Sequence, residues 1–398
     1  MKVSMTKQEK GFLYFFLPLF AIKLLDFTAG SFILKAVAVA CFIAFVTHFI
    51  NESYKAAHFK LFSVLLVYTA VLVVTCGKQG AFFSVIALAA MKGVDMNRKV
   101  YGILLKVGIV FLLIACYIGS NSAVTDRFMG EEWVTVVKRS NILYVAYMAV
   151  ACLYIMKNRA VFSRKHFVVL AVTGYLMYLY VGSRTGGISM MILLLLLVIL
   201  RNKTIRRHIF VRWFCILSPL ICMVVSVVLA LNYSSSDDMF FLNMLTQGRL
   251  EQGYIFLHKY DVTIFGQPIV ENFGVSYGNY LCLDNAYLDM ILCEGLIFTV
   301  LWIVSTIWVI SYMYRRGRYL EVAIIVAYAL YGLCETFLQN CFLNISLLLY
   351  GEALYSLPAF YTKPQMIVTD NKSRMLQKVN SGGVNPVSRS DNYSLMAA

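Results

Sequence analysis

Three short polar motifs interrupt a chain made mostly of apolar runs: Ser183-Arg184-Thr185-Gly186, Gly248-Arg249, and Asp284-Asn285-Ala286-Tyr287-Leu288. A guanidinium presents a planar fork that meets carboxylate or phosphate oxygens two at a time, so each arginine is a candidate anion ligand. In the first motif Arg184 sits in a very short turn, and Thr185 is placed to cap a helix beginning near Gly186. Free N–H groups at such a helix start would add positive potential beside the guanidinium. Arg249 either pairs with a nearby carboxylate or takes a second phosphate oxygen. In the third motif Asp284 is a candidate base or a helix cap. If its stretch is helical, Asp284, Tyr287, Ile291 and Glu294 share one face, with the second carboxylate roughly 15 Å below the first. An ionised side chain at mid-membrane costs about 2.5–3.5 kcal/mol, so Glu294, Glu335 and Glu352 are expected to be buried in a bundle, paired or protonated.

Other chemistry finds no signature. The chain has no G-x-x-x-x-G-K-[ST], no H-E-x-x-H, no G-x-S-x-G and no paired C-x-x-C. Its five histidines are scattered, which gives no basis for a metal site, and no cofactor is expected. Of its ten cysteines, nine lie in or at the ends of apolar segments and only Cys282 falls in a long polar stretch, so no disulfide framework is expected.

The elements that must position these residues are transmembrane helices. Of 398 residues 60% are hydrophobic and 14% charged, and the mean hydropathy is +0.74; a soluble domain is about 45–50% apolar and about 25% charged. At about 20 residues per span, the runs predict an all-α, polytopic integral membrane protein of about twelve helices (range 10–12). They fall near residues 11–27, 30–50, 59–76, 79–92, 99–120, 141–157, 166–183, 186–200, 210–232, 286–313, 319–336 and 338–356. The fourth is short enough to be re-entrant. The lysines before the first run imitate a signal peptide, but Lys23 and Asp26 follow and no small-residue cleavage site is evident, so this run is read as a retained helix.

The net charge of +15 is distributed in short clusters between apolar runs, which argues for topology rather than nucleic acid. With both ends inside, the inner segments hold twenty Lys and Arg and the outer segments seven, as the positive-inside rule demands. Residues 1–357 are then one membrane domain, with outer loops at 121–140 and 232–285, the longer one preceding the tenth helix. Residues 358–398 form a cytoplasmic tail with no apolar period, expected to be disordered. The segment Met239–Leu245 reads as an amphipathic helix resting at the outer interface.

Taken together, the chain resembles the Wzy-type bacterial polysaccharide polymerases, which are related to the O-antigen ligases. The resemblance rests on the S-R-T-G of Ser183 to Gly186 and on Gly248-Arg249 with Ile264-Phe265-Gly266-Gln267 following. It rests equally on Asp284 to Leu288 with Glu294-Gly295 behind it, and on Glu335, Asn340 and Asn344. It implies an enzyme of the bacterial cytoplasmic membrane that joins undecaprenyl-diphosphate-linked oligosaccharide units at the outer face, without metal, working beside a flippase and a chain-length regulator. Carried over, Arg184 and Arg249 grip the diphosphate and Asp284, standing where ligases usually show His, is the base. Thr185, Gly186, Gly248, Asn285, Tyr287, Glu294 and Arg139 are then substrate-binding residues, although the chain reads Lys138-Arg139-Ser140-Asn141 where many relatives carry His-Pro-Asn. The alternatives are a ligase or, from a different class, a flippase or secondary transporter, which should place its ionisable groups nearer the bilayer midplane.

Overall fold

A computed structural model describes residues 5–24, 56–96, 98–121, 127–129, 132–134, 140–233, 237–246, 248–273 and 280–356. The helix expected over 30–50, Arg139 and the tail lie outside the described residues. The remaining chain forms α1 (Lys7–Leu24), α2 (Ala56–Cys76), α3 (Gly80–Ala90), α4 (Arg98–Asn121), α5 (Ser140–Lys157), α6 (Arg164–Val181), α7 (Arg184–Arg201), α8 (Lys203–Arg207) and α9 (Ile209–Leu231). Two helices of the long loop follow, α10 (Asp237–Leu245) and α11 (Arg249–Lys259). Next come α12 (Ala286–Asp289), a π turn over Met290–Glu294, α13 (Gly295–Arg315), α14 (Tyr319–Tyr331) and α15 (Leu348–Tyr355). Two antiparallel ribbons are small additions, Arg127–Met129 against Glu132–Val134 and Asn272–Phe273 against Tyr280–Leu281.

Among the described residues, five helical stretches are long and apolar enough to cross a membrane: Phe59–Cys76, Lys99–Tyr117, Arg184–Arg201, Ile209–Leu231 and Ala286–Arg315. Their outer faces fit that use. On α2, Val64, Val67, Val71 and Val74 are exposed, Val74 at 86%. A water-soluble surface does not carry apolar stripes of this size. The helices that are buried on every side are the central ones. Tyr144 to Leu153 of α5 and Val322 to Ala329 of α14 are shielded throughout, as expected of helices that are apolar all round. Phe12, Phe16 and Phe20 stack along α1, and Phe16 meets Phe342 at 5.1 Å between ring centroids.

Two expectations change. The run 319–336 stops being helical at Tyr331, and the run 338–356 becomes helical only at Ile345, leaving 332–344 as irregular backbone among helices. Such backbone is tolerated in a bundle only where its polar groups are satisfied. Here the Ser84 hydroxyl donates to the Gln339 carbonyl at 2.6 Å and accepts from the Cys341 N–H at 2.9 Å. The Asn344 amide donates to Leu338 O at 2.7 Å, and the Tyr328 hydroxyl to Leu343 O at 2.9 Å. The second change concerns the supposed face from Asp284 to Glu294. Asp284 precedes α12, and the π turn breaks the 3.6-residue period, so the two carboxylates do not share a helical stripe.

The π turn also explains two motifs. Gln267 N–H donates to Cys293 O at 3.0 Å, and Leu296 N–H to Thr263 O at 3.0 Å, so Ile264–Gln267 is clamped onto the start of α13. Gly266 and Gly295 have φ of 85° and 88°, and a Cβ on Gly266 would stand 2.2 Å from Cys293 O. Gly77 has a φ of 71° with open space around it. Gly77→Ala is therefore expected to cost only the left-handed backbone, about 1–2 kcal/mol. Gly266→Ala should cost more than this and separate the loop from α13. Thermal unfolding of the two variants in detergent checks it; equal shifts would show that the contact adds nothing to the backbone effect.

Candidate functional site

The site begins with backbone groups. Where α14 ends, the carbonyls of Ala329, Gly332, Leu333 and Cys334 have no helical partner ahead of them, and each receives a donor from another motif. The Tyr287 hydroxyl donates to Ala329 O at 2.7 Å and the Ala286 N–H to Gly332 O at 2.9 Å. The Asn285 amide donates to Leu333 O at 3.1 Å, and Arg249 Nε–H to Cys334 O at 3.1 Å. Asn285 Oδ1 meanwhile accepts from Tyr287 and Leu288 N–H, capping α12. The third motif is thus a bracket between the starts of α12 and α11 and the end of α14.

Glu335, the next residue, is held inside that bracket. Arg249 Nη2 lies 3.5 Å from Glu335 Oε1 and 3.6 Å from Asp284 Oδ2, and Thr185 Oγ1 donates to Glu335 Oε1 at 3.3 Å. Three motifs therefore converge: Thr185 at the start of α7, Arg249 at the start of α11, and Asp284 before α12. Arg249 is buried and Asp284 is partly open, its side chain 28% exposed. Gly248, with φ of 81°, makes the left-handed turn that starts α11. Asn243 ties α10 to α11, accepting from Glu251 N–H and donating to Glu251 Oε2, each at 3.1 Å.

The first motif works differently from its sequence reading. The helix begins at Arg184, and Ser183, not Thr185, is the cap: its hydroxyl accepts from Gly186 N–H at 3.2 Å and donates to Asn141 Oδ1 at 2.9 Å. Thr185 is thereby released toward Glu335. Gly186 is required by packing, since a Cβ there would lie 2.3 Å from the Tyr144 ring. Arg184 is exposed, has no carboxylate within salt-bridge distance among the described residues, and faces a cavity of about 450 Å³ with Tyr144, Tyr175, Tyr178 and Ile188 on its walls.

Two candidates lie elsewhere in character. Tyr287 is fully buried with its hydroxyl spent on Ala329, so its ring is closed to a sugar. Glu294 is fully buried in the π turn, and among the described residues neither of its oxygens has a partner at hydrogen-bond geometry. Near it in sequence, Asp289 pairs with Lys78 at 3.1 Å and accepts from Gln339 at 3.3 Å, an ion pair with no local spacing to reveal it. The importance of Glu335 was similarly hidden, because its partners stand 86 and 150 residues away. The signal available was the rarity of a carboxylate among apolar residues. Glu352 belongs to a different cluster, with Arg159, Arg318 and Tyr101. Among the described residues no group of His, Cys, Asp and Glu could hold a metal ion.

Chemically, the cluster is one guanidinium with two carboxylates. Glu335 stands beyond the end of α14, outside the helical spans; burial and the neighbouring Asp284 charge push its carboxyl up to about 7, against the pull of Arg249. Asp284 supplies an accessible carboxylate; Glu335 holds or releases a proton near neutrality; Arg184 supplies an open cation. A scan against family models found no match, and searches of curated proteins and of solved structures found none either.

A raised Glu335 pKa means that the folded state binds its proton more tightly than the unfolded chain. Its contribution to stability is thus complete below the ordinary glutamate value of 4.5 and is lost as pH rises through about 7. Glu335→Gln is expected to flatten the decline in unfolding temperature across that window. An unchanged pH slope in the variant would disprove this account of the cluster.

Proposed function

We propose that the chain is a membrane glycosyltransferase, with about twelve spans and both ends in the cytoplasm, that polymerises undecaprenyl-diphosphate-linked oligosaccharide units at the outer face of the bacterial cytoplasmic membrane. The observation that carries this reading is the convergence of Thr185, Arg249, Asp284 and Glu335, with the exposed Arg184 next to Thr185 in the chain. Group transfer from a lipid diphosphate needs a base for the acceptor hydroxyl and a cation for the departing anion, and both are present at neighbouring helix starts.

The roles divide according to which groups are already engaged. Arg249 spends Nε on Cys334 O, Nη1 on Thr246 O and Nη2 on the two carboxylates, so it orients Asp284 and Glu335 more than it grips a ligand. Arg184 stands at the positive end of α7, where a cation is disfavoured unless an anion joins it. It is the phosphate ligand. In the reaction the acceptor oxygen bonds to the anomeric carbon while the bond from that carbon to the phosphate oxygen breaks. The hydroxyl proton passes to Asp284, and the negative charge leaves on the diphosphate beside Arg184. Glu335, hydrogen-bonded to Thr185, sets the charge of the cluster. The lipid-linked donor also accounts for the lack of any nucleotide-sugar motif in the sequence.

Deletion of the gene should accumulate single-unit lipid-linked glycan on the outer leaflet; accumulation on the inner leaflet would instead indicate a flippase. Arg184→Lys keeps the charge and loses the fork, and should lower polymer yield about tenfold or more. Asp284→Asn should abolish chain growth with membrane insertion intact. Normal polymer from Asp284→Asn would reduce that residue to a structural cap.

A further inference from the structure

Arg201 ends α7, roughly 26 Å along the helix from Arg184 and therefore at the opposite end of the bundle. There the chain forms an open cleft of about 610 Å³ with four arginines among its lining residues, Arg159, Arg201, Arg206 and Arg318, and one acidic residue, Glu321. Arg159 and Arg318 are balanced: Arg159 reaches Glu321 at 3.5 Å and Glu352 at 3.3 Å, and Arg318 pairs with the same two carboxylates. Arg201 and Arg206 have no carboxylate within salt-bridge distance among the described residues. The Arg206 guanidinium lies 4.2 Å from the Tyr319 ring centroid, a cation–π contact that restrains it without neutralising its charge. Two cations without counter-charge thus face one chamber.

Between the charged residues the walls are apolar. Leu197, Leu200 and Phe162 line it, and Leu197, Phe162 and Arg201 are shared with an adjoining cavity of about 520 Å³ that adds Arg164. From there Val168 and Val198, each more than half exposed, continue along the outward faces of α6 and α7. Arginines that merely follow the positive-inside rule snorkel separately into water. Here they converge on a chamber whose exit is a greasy groove. A free phosphate would use the guanidinium forks and leave the groove without a purpose; a lipid uses both.

We propose that the Arg201–Arg206 chamber binds the phosphate of an anionic membrane phospholipid, with an acyl chain laid along the α6–α7 groove. The chemistry is phosphodiester recognition by guanidinium at a membrane-helix end. It rests on α7 spanning the bilayer and not on the reaction proposed at the other end. The site would make the protein's folded state depend on anionic lipid.

The test uses the full-length protein in nanodiscs. Nanodiscs of phosphatidylcholine with cardiolipin or phosphatidylglycerol should raise the unfolding temperature relative to phosphatidylcholine alone, and native mass spectrometry should find retained anionic lipid. Because Arg201 is exposed and Arg206 half-buried, Arg201→Gln combined with Arg206→Gln should lower the unfolding temperature in phosphatidylcholine only slightly, by loss of the Arg206–Tyr319 contact. The same variant should weaken anionic-lipid retention about thirtyfold. Arg201→Lys with Arg206→Lys keeps both charges and should lose only a few-fold, providing the same comparison in a milder variant. Equal retention by the wild type and the Gln variant would overturn the proposal. So would stabilisation by millimolar inorganic phosphate as large as that by cardiolipin, since the site would then serve a soluble anion.

Discussion

A helix that stops inside a bundle leaves carbonyls that water cannot reach, and the arrangement around residues 332–335 follows from satisfying them. The donors come from Tyr287, Ala286, Asn285 and Arg249, each on a segment far from α14 in sequence. Once Arg249 is recruited to the Cys334 carbonyl its charge is buried too, and a buried guanidinium must be paired. Asp284 and Glu335 answer that requirement. Arg249, which closes the backbone at Cys334, therefore also holds the two carboxylates proposed to act in the chemistry, so their orientation is fixed before any substrate arrives.

Electrostatically the two ends of α7 differ in kind. At Arg184 the cation lies outside a cluster in which two carboxylates share one guanidinium. At Arg201 the carboxylates are outnumbered, and the surplus is positive. The first arrangement suits a reaction in which charge moves from a hydroxyl to a leaving group; the second suits lasting attachment of an anion. Length and charge on one 18-residue helix separate these uses by the thickness of a bilayer.

Much of this was legible in the residues. The apolar runs placed α2, α4, α5, α7 and α9 within a few residues of their ends, because a span is set by hydrophobic length. The motifs at Thr185, Arg249 and Asp284 stood out because polar residues among apolar ones must have partners, and they do meet. What stayed hidden was non-local. The Ser183 cap replaced Thr185 because Asn141 and Gly186 hold the serine hydroxyl. The π turn depends on the docking of Gly266, 29 residues before Gly295. Helix α11 has polar residues on the side away from the core and no long apolar run, so a reading based on hydrophobic length passed over it. The break at Tyr331 likewise cannot be read from the apolar run that continues through it.

The order of synthesis gives the Arg249–Glu335 pair a temporal meaning. Glu335 follows Arg249 by 86 residues, which at about 5–20 residues per second is a delay of roughly 4 to 17 seconds. During that interval Asp284 and the stretch Ala286–Arg315 are made, and Arg249 has only the more exposed of its two carboxylates. Completion of the last helical hairpin is therefore the step that makes burying Arg249 favourable. A chain terminated before Cys334 would hold Arg249 against Asp284 alone, with the Cys334 carbonyl and the second carboxylate missing from its centre.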